Sequence, residues 1–251
     1  MPRYFLELAY KGTSYSGFQI QKNANSIQEE VEKALGIFFR AHFELTGSSR
    51  TDGGVHAMQN FFHFDYEEVI EKRVLYNINA ILPPDIVLTN IYVVAPNAHC
   101  RFDAVSREYW YYLYRVKNPF LADRAWFYPY TLDRDKLKAA AGLIPAYQDF
   151  TTFAKRNTQV KTFLCTIFES AWEEDEQCLI YRVKANRFLR GMVRGLVGTM
   201  VQVGRGKLSL EEFAGVLQKK NNQLADFSAP GHGLFLQQVS FSVSIPDPPE
   251  R

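Results

Sequence analysis

The sequence predicts an α+β protein of two ferredoxin-like (RRM-like) halves with mainly antiparallel sheets, divided as 1–104 and 105–251. Three observations carry this reading. Strand-period and helix-period segments follow one another as β-α-β-β-α-β in the first half, the ferredoxin-like order. The second half repeats the theme. Apolar residues make up 47% of 251 residues, enough for a substantial core. Two such halves facing each other would leave a cleft between their sheets, a usual place for an active site.

Each element has its own signal. Tyr4 to Tyr10 alternates and reads as a strand. Ser26 to Phe39 reads as a helix, with Ser26 and Glu29 at capping-box spacing and Ile27, Val31, Leu35 and Phe38 on one face. Short strands are expected at Phe43–Thr46 and Gln59–Asp65. A helix over Glu67–Ile81 is stopped by Pro83-Pro84. Strands follow at Ile86–Val94 and, rich in aromatic residues, at Arg107–Val116. In the second half Leu137–Ile144 reads as a helix, with Asp133 or Asp135 as its cap. Phe163–Glu173 and Leu179–Ala185 form a hairpin around an acidic turn. Helices follow over Leu189–Val203, ended by Gly204, and Ser209–Lys219, with Ser209 and Glu212 as a second capping pair. Leu234–Val243 reads as the last strand, and the tail at 246–251 as loose.

Composition narrows the function. The formal net charge is +2, which argues against binding nucleic acid by bulk charge but leaves room for a local basic groove. Three scattered cysteines and five histidines show no metal-ligand spacing and no disulfide framework. No secretory signal or transmembrane run is evident, and the expected location is the cytoplasm. Phosphate-cradling and nucleophilic-serine motifs are absent.

The most informative stretch is Gly47-Ser48-Ser49-Arg50-Thr51-Asp52-Gly53-Gly54-Val55-His56-Ala57. Glycines let a backbone bring an acidic group close to a ligand. A neighbouring guanidinium can hold that carboxylate ionised and oriented, so that it acts as a nucleophile or base. Thr51-Asp52-Gly53-Gly54 is equally an ordinary turn. Downstream, Arg187, Arg190 and Arg194 are spaced i, i+3, i+7 and would form one helical stripe fitted to phosphates. A solvated charged face is the alternative. Tyr109-Trp110-Tyr111-Tyr112 could stack an unpaired base, although most of these rings should be core. His56 and His63 could be polar core groups or RNA contacts.

Arg50-Thr51-Asp52-Gly53-Gly54-Val55-His56-Ala57 resembles a signature of the bacterial tRNA pseudouridine synthase A family. So, in the family's order, do Tyr10-Lys11-Gly12-Thr13-Ser14-Tyr15-Ser16-Gly17-Phe18-Gln19, Ser26-Ile27-Gln28-Glu29, Asn79-Ala80-Ile81-Leu82-Pro83-Pro84-Asp85-Ile86, and Phe102-Asp103-Ala104 before Arg107-Glu108-Tyr109. Asp149-Phe150-Thr151-Thr152-Phe153, Met192-Val193-Arg194 with Val197-Gly198, and Gly233-Leu234-Phe235-Leu236 complete a series that covers nearly the whole chain.

The resemblance implies the pseudouridine synthase fold and an isomerase. It would convert uridine to pseudouridine at positions 38–40 of the tRNA anticodon stem-loop. Asp52 falls on the essential carboxylate. Arg50 matches an arginine that helps flip the base, Tyr109 a tyrosine packing on it, Arg194 the carboxylate's partner and Leu234 a wall of the uracil pocket. The resemblance also implies a homodimer on tRNA, with no metal, organic cofactor, membrane or DNA partner. Departures from the family pattern are Ser49 for Gly, Gly53 for Ala, Phe18 for Trp, Cys165 for Arg, and Gly191 before Met192. They leave room for a synthase acting on a different RNA site. A catalytically silent tRNA-binding or folding protein, and a hydrolase pairing Asp52 with Asp65 or Asp103, are the competing readings.

Overall fold

A computed structural model of the chain describes residues 1–155 and 160–242. Its contacts divide into two compact units, Met1–Val105 with the residues from Leu236 onward, and Ser106–Phe235. The sequence division placed the last strand wholly with the second half; its residues from Leu236 group instead with the first unit. Among the described residues no helix is long and apolar enough to cross a membrane.

The first unit contains β1 (Arg3–Tyr10), α1 (Ile27–Phe39), β2 (Thr46–Gly47), β3 (His56–Asp65), α2 (Val74–Ile81) and β4 (Ile86–Val94). Its strands run in the order β4-β1-β3, with β2 also paired to β3, and β1 is antiparallel to both neighbours. The period-two pattern of β1 has a direct use. Tyr4 lies opposite Phe64 and Leu6 opposite Phe62 on one face, while Phe5 lies opposite His63 on the other. Helix α1 starts where the sequence placed it, with the Ser26 hydroxyl accepting from the Glu29 N–H at 3.3 Å. It buries Ile27, Val31, Ala34 and Leu35.

Two expected elements are shorter. Of Phe43–Thr46 only Thr46 enters a strand, because α1 side chains satisfy the backbone of Leu45. The Leu45 N–H donates to Glu32 Oε1 at 2.9 Å, and its carbonyl accepts from Gln28 Nε2 at 2.8 Å. Helix α2 starts at Val74 rather than Glu67. The Tyr4 hydroxyl takes up that backbone, donating to the Glu68 carbonyl at 2.9 Å and accepting from the Ile70 N–H at 3.2 Å.

The second unit contains most of β5 (Ala104–Tyr114), then β6 (Trp126–Phe127), α3 (Arg134–Leu143), β7 (Ile167–Glu174), β8 (Leu179–Ala185), α4 (Met192–Gly204) and α5 (Leu210–Gln218). The final strand, β9 (Leu234–Phe241), begins here. Strands run β5-β8-β7, antiparallel throughout, with β6 parallel to β5. Asp133 caps α3 through the Lys136 N–H, and Ser209 with Glu212 forms the complete capping box of α5. Strand β7 starts four residues later than expected. Phe163 and Cys165 give their backbone bonds to Phe150 and Gln148 instead of a sheet neighbour. In the first unit the continuation of β9 pairs with β3, and Phe241 packs its ring 5.4 Å from Phe5 and 5.2 Å from Phe61. Val243 and the expected loose tail lie outside the described residues.

Two glycines test this packing in opposite directions. Gly215 lies inside α5 with open space where a Cβ would stand. Gly215→Ala is expected to stabilise the protein by about 0.5–1 kcal/mol, since alanine loses less backbone freedom in a helix. Gly12 has the Val55 carbonyl where its Cβ would stand. Gly12→Ala is expected to destabilise by about 1–3 kcal/mol, because one backbone must move away from another. Chemical denaturation midpoints at constant m-value check both signs.

Candidate active site

The Asp52 loop is held by a segment far from it in sequence. Tyr10, the last residue of β1, and residues 11–18 after it lie along the loop. The Tyr10 and Thr51 hydroxyls are 2.8 Å apart, and burial raises the Tyr10 phenol pKa, so it stays a neutral hydrogen-bonding group. Asn60 Nδ2 donates to the Tyr10 hydroxyl at 3.2 Å and to the Ser49 carbonyl at 2.9 Å. The Phe18 N–H donates to the Thr51 carbonyl at 3.1 Å, and the Gly54 N–H to the Tyr15 carbonyl at 3.3 Å. Gly17 forms an isolated antiparallel bridge with Asp52. Its φ of +127° and the Thr51 carbonyl, 3.1 Å from where a Cβ would stand, require glycine there.

A third motif joins these two. The Lys11 N–H donates to the Asp85 carbonyl at 2.8 Å, and the Tyr15 hydroxyl donates to Asp85 Oδ1 at 2.6 Å. The segments around Tyr10, Asp52 and Asp85 therefore form one hydrogen-bonded block. Asp52 is half-buried on it, and Arg50 is exposed. A partly shielded carboxylate on a fixed backbone is suited to nucleophilic or base chemistry, since its position requires little reorganisation.

The two histidines near this loop are core groups. His56 is buried, and its Nδ1 accepts from the Gly12 N–H at 3.1 Å. Burial, reinforced by His99 and Arg3, pushes the pKa of His63 down to about 4, and its Nδ1 lies 3.2 Å from Cys100 Sγ. Neither signal was separable in the sequence, because a buried histidine and an RNA-facing one read alike. Asp65 is held by Arg3 at 2.7 Å, and Asp103 accepts from the His99 N–H at 2.7 Å. Both carboxylates have structural partners.

Tyr109, Arg187, Arg190, Arg194 and Leu234 belong to the second unit. Tyr109 is buried on β5 opposite Val183, with its ring 5.0 Å from Phe188. The neighbouring rings are largely core or committed. Tyr111 is fully buried, and Trp110 carries the Arg182 guanidinium 4.0 Å from its ring centroid. Leu234 is buried at the start of β9. Arg194 lies in the first turn of α4 and donates from Nε to the Ala229 carbonyl at 2.6 Å.

The helical arginine stripe is corrected. α4 begins at Met192, so Arg187 and Arg190 lie before it in the connection from β8. Gly191 stops the helix from reaching back, since its φ of +73° is left-handed and cannot extend a right-handed helix. The Lys155 N–H also donates to the Arg190 carbonyl at 3.0 Å. Arg187 is half-buried and Arg190 exposed. Arg205 is engaged elsewhere, 3.2 Å from the Tyr128 hydroxyl and over the Tyr130 ring.

Most departures from the family pattern are locally accommodated. An alanine Cβ at Gly53 would meet backbone no closer than 3.5 Å, an ordinary contact. Phe18 stacks on Phe62 with centroids 4.6 Å apart, and a Cβ at Gly47 would overlap the Phe18 ring. Gly191 is required by its backbone, and a Cβ there would also crowd Lys155. Cys165 is buried, and burial pushes its thiol up to about 11 despite the nearby charge of Arg187. Ser49 is the exception. Its buried hydroxyl has no hydrogen-bond partner among the described residues, and neither does that of Ser48.

The pattern of the family described as tRNA pseudouridine synthase matches residues 147–242. A Bacteroides fragilis protein named tRNA pseudouridine synthase A is 45% identical over 97% of this chain and 98% of its own length. The Porphyromonas gingivalis protein of that name is 42% identical over 96% and 98%, and a Staphylococcus aureus one is 36% identical over 94% and 90%. The motifs that build the Asp52 block thus sit in a chain related along nearly its whole length to synthases from two bacterial groups, and it belongs to the tRNA pseudouridine synthase A family, as an isomerase that converts uridine to pseudouridine in tRNA.

Proposed function

We propose that Asp52 is the catalytic carboxylate and that the target uridines are those at positions 38–40 of the anticodon stem-loop. The observation that carries the assignment is the fixed Asp52 backbone, bridged to Gly17 and tied on both sides to residues 15–18. The reaction breaks the N-glycosidic bond, turns the uracil and joins its C5 to C1′. A carboxylate can serve this by attacking an electron-poor carbon, by stabilising an oxocarbenium-like centre or by removing a sugar proton. The target nucleotide must leave its stack to be reached. Arg50 is assigned to that opening, Tyr109 and Leu234 to the uracil, and Arg194 to the carboxylate. Each unit is read as ferredoxin-like. The strand order of the first unit, β4-β1-β3-β2, supports this.

Asp52→Asn keeps size and polarity but removes the nucleophile or base. It is expected to lower tritium release from uracil-C5-tritiated tRNA by more than ~10³-fold while tRNA still binds. Turnover near the wild-type rate would refute the assignment, and mapping the modified nucleotide decides the position.

Arg187 and Arg190 are assigned to phosphates, as two separate contacts from a non-helical connection. Arg190→Ala is expected to weaken tRNA binding and to reduce the slope of log affinity against log salt by about one. An unchanged slope would return Arg190 to the solvated surface.

The protein is proposed to work in the cytoplasm as a homodimer. A chain of net charge +2 offers few basic groups to a polyanion as large as tRNA, and a two-fold axis would double them. Light scattering during size-exclusion chromatography is expected to give twice the chain mass of 28.9 kDa. A fully active monomer would overturn the dimer.

A further inference from the structure

Within the first unit a pocket of about 200 Å³ shares Arg50 with the Asp52 loop. Gln19, His99, Arg101 and Phe102 also line it, and none of its ten lining residues is a carboxylate. It is smaller than the ~300–1,000 Å³ of sites for drug-sized ligands. Its most unusual member is Phe102, which is 74% exposed.

Phe102 is exposed but fixed. Its N–H and that of Asp103 both donate to the His99 carbonyl, at 3.1 and 3.0 Å. The His99 ring lies 4.1 Å from the Phe102 ring at 35°, and stands 4.5 Å from the buried His63 ring. The three rings form a column from the core to the surface. The Arg101 guanidinium lies 5.7 Å from the Phe102 centroid. Asp103, the acid next in sequence, is occupied by the His99 N–H.

A rigid aromatic face beside a guanidinium, in a pocket lined by no acid, matches an unpaired nucleotide. The base stacks on the ring and the phosphate meets the cation. The column has already met the cost of ordering Phe102. We propose that this pocket binds one unpaired nucleotide of the tRNA other than the target uridine, with its base on Phe102 and its phosphate on Arg101. Arg50 is the wall shared with the Asp52 loop, so the captured nucleotide would neighbour the one that reacts. The proposal rests on the reading that Asp52 acts on a uridine within tRNA.

Filter-binding of tRNA across a salt series, paired with single-turnover tritium release at saturating tRNA, tests it. Phe102→Ala is expected to weaken binding by about tenfold or more with an unchanged salt slope, the effect of losing one base–ring stack. Phe102→Tyr keeps the ring and is expected to bind like wild type. Arg101→Ala is expected to lower the salt slope by about one. All three should keep the wild-type melting temperature and near-wild-type release at saturation. Wild-type binding by Phe102→Ala in an enzyme that releases tritium would overturn the pocket assignment alone. So would an equal loss in Phe102→Tyr. A wild-type protein that releases no tritium would overturn the Asp52 reading and the pocket with it.

Discussion

The close approach of residues 12–18 to the Asp52 loop is the constraint on which the arrangement of the first unit's candidate site depends. Two backbones run nearly in contact there, and only glycine at 12 and 17 leaves room for them. The hydrogen bonds that follow are mostly backbone to backbone, with no flexible side chain to relax. The polar groups that complete the contact, Tyr10, Thr51, Asn60 and His56, are all buried or nearly so. An unpaired polar group in that setting would be costly, so the set holds together as a network or not at all. The carboxylate at its end inherits this rigidity.

In the second unit the arginines proposed to meet the carboxylate and the RNA are positioned differently. Arg194 stands on a helix that packs closely at Gly198, where a Cβ would overlap the Asp226 carbonyl. The Thr199 hydroxyl accepts from the Asp226 N–H at 3.0 Å, and Gln202 donates to Asp226 Oδ2 at 2.6 Å. The helix and the loop at 226–230 are therefore one piece, and Arg194 reaches the Ala229 carbonyl within it. Its two sequence neighbours in the supposed stripe sit on irregular backbone before Gly191. The orientation of Arg187 and Arg190 is thus set by loop geometry rather than by helical pitch.

The aromatic residues, 15% of the chain, serve two purposes. Most close the core, as Phe62 does on Phe18 and Phe241 on Phe5 and Phe61. Phe102 is held by the same kind of ring contact, yet stays in solvent. What separates the two uses is burial, a property of the folded chain.

The sequence by itself determined the strand at Ile86–Val94, the helix after Ser26, the cap at Ser209, and the family to which the Asp52 signature points, while the structure chose Asp133 over Asp135 as the cap of α3. These rest on local periodicity, capping chemistry and ordered motifs, all written along the chain. Only the tertiary structure decided which backbone groups found partners elsewhere. Leu45 is satisfied by Gln28 and Glu32, residues 68–70 by Tyr4, and Cys165 by Gln148, so each of those strands or helices came out shorter than its pattern. The left-handed turn at Gly191 likewise removed two arginines from a helix that their spacing alone would extend. Phe102 gained its pocket because His99 and Arg50, nearly fifty positions apart in the chain, line the same cavity. Periodicity records what a segment prefers, whereas hydrogen bonds to distant residues decide where that preference stops.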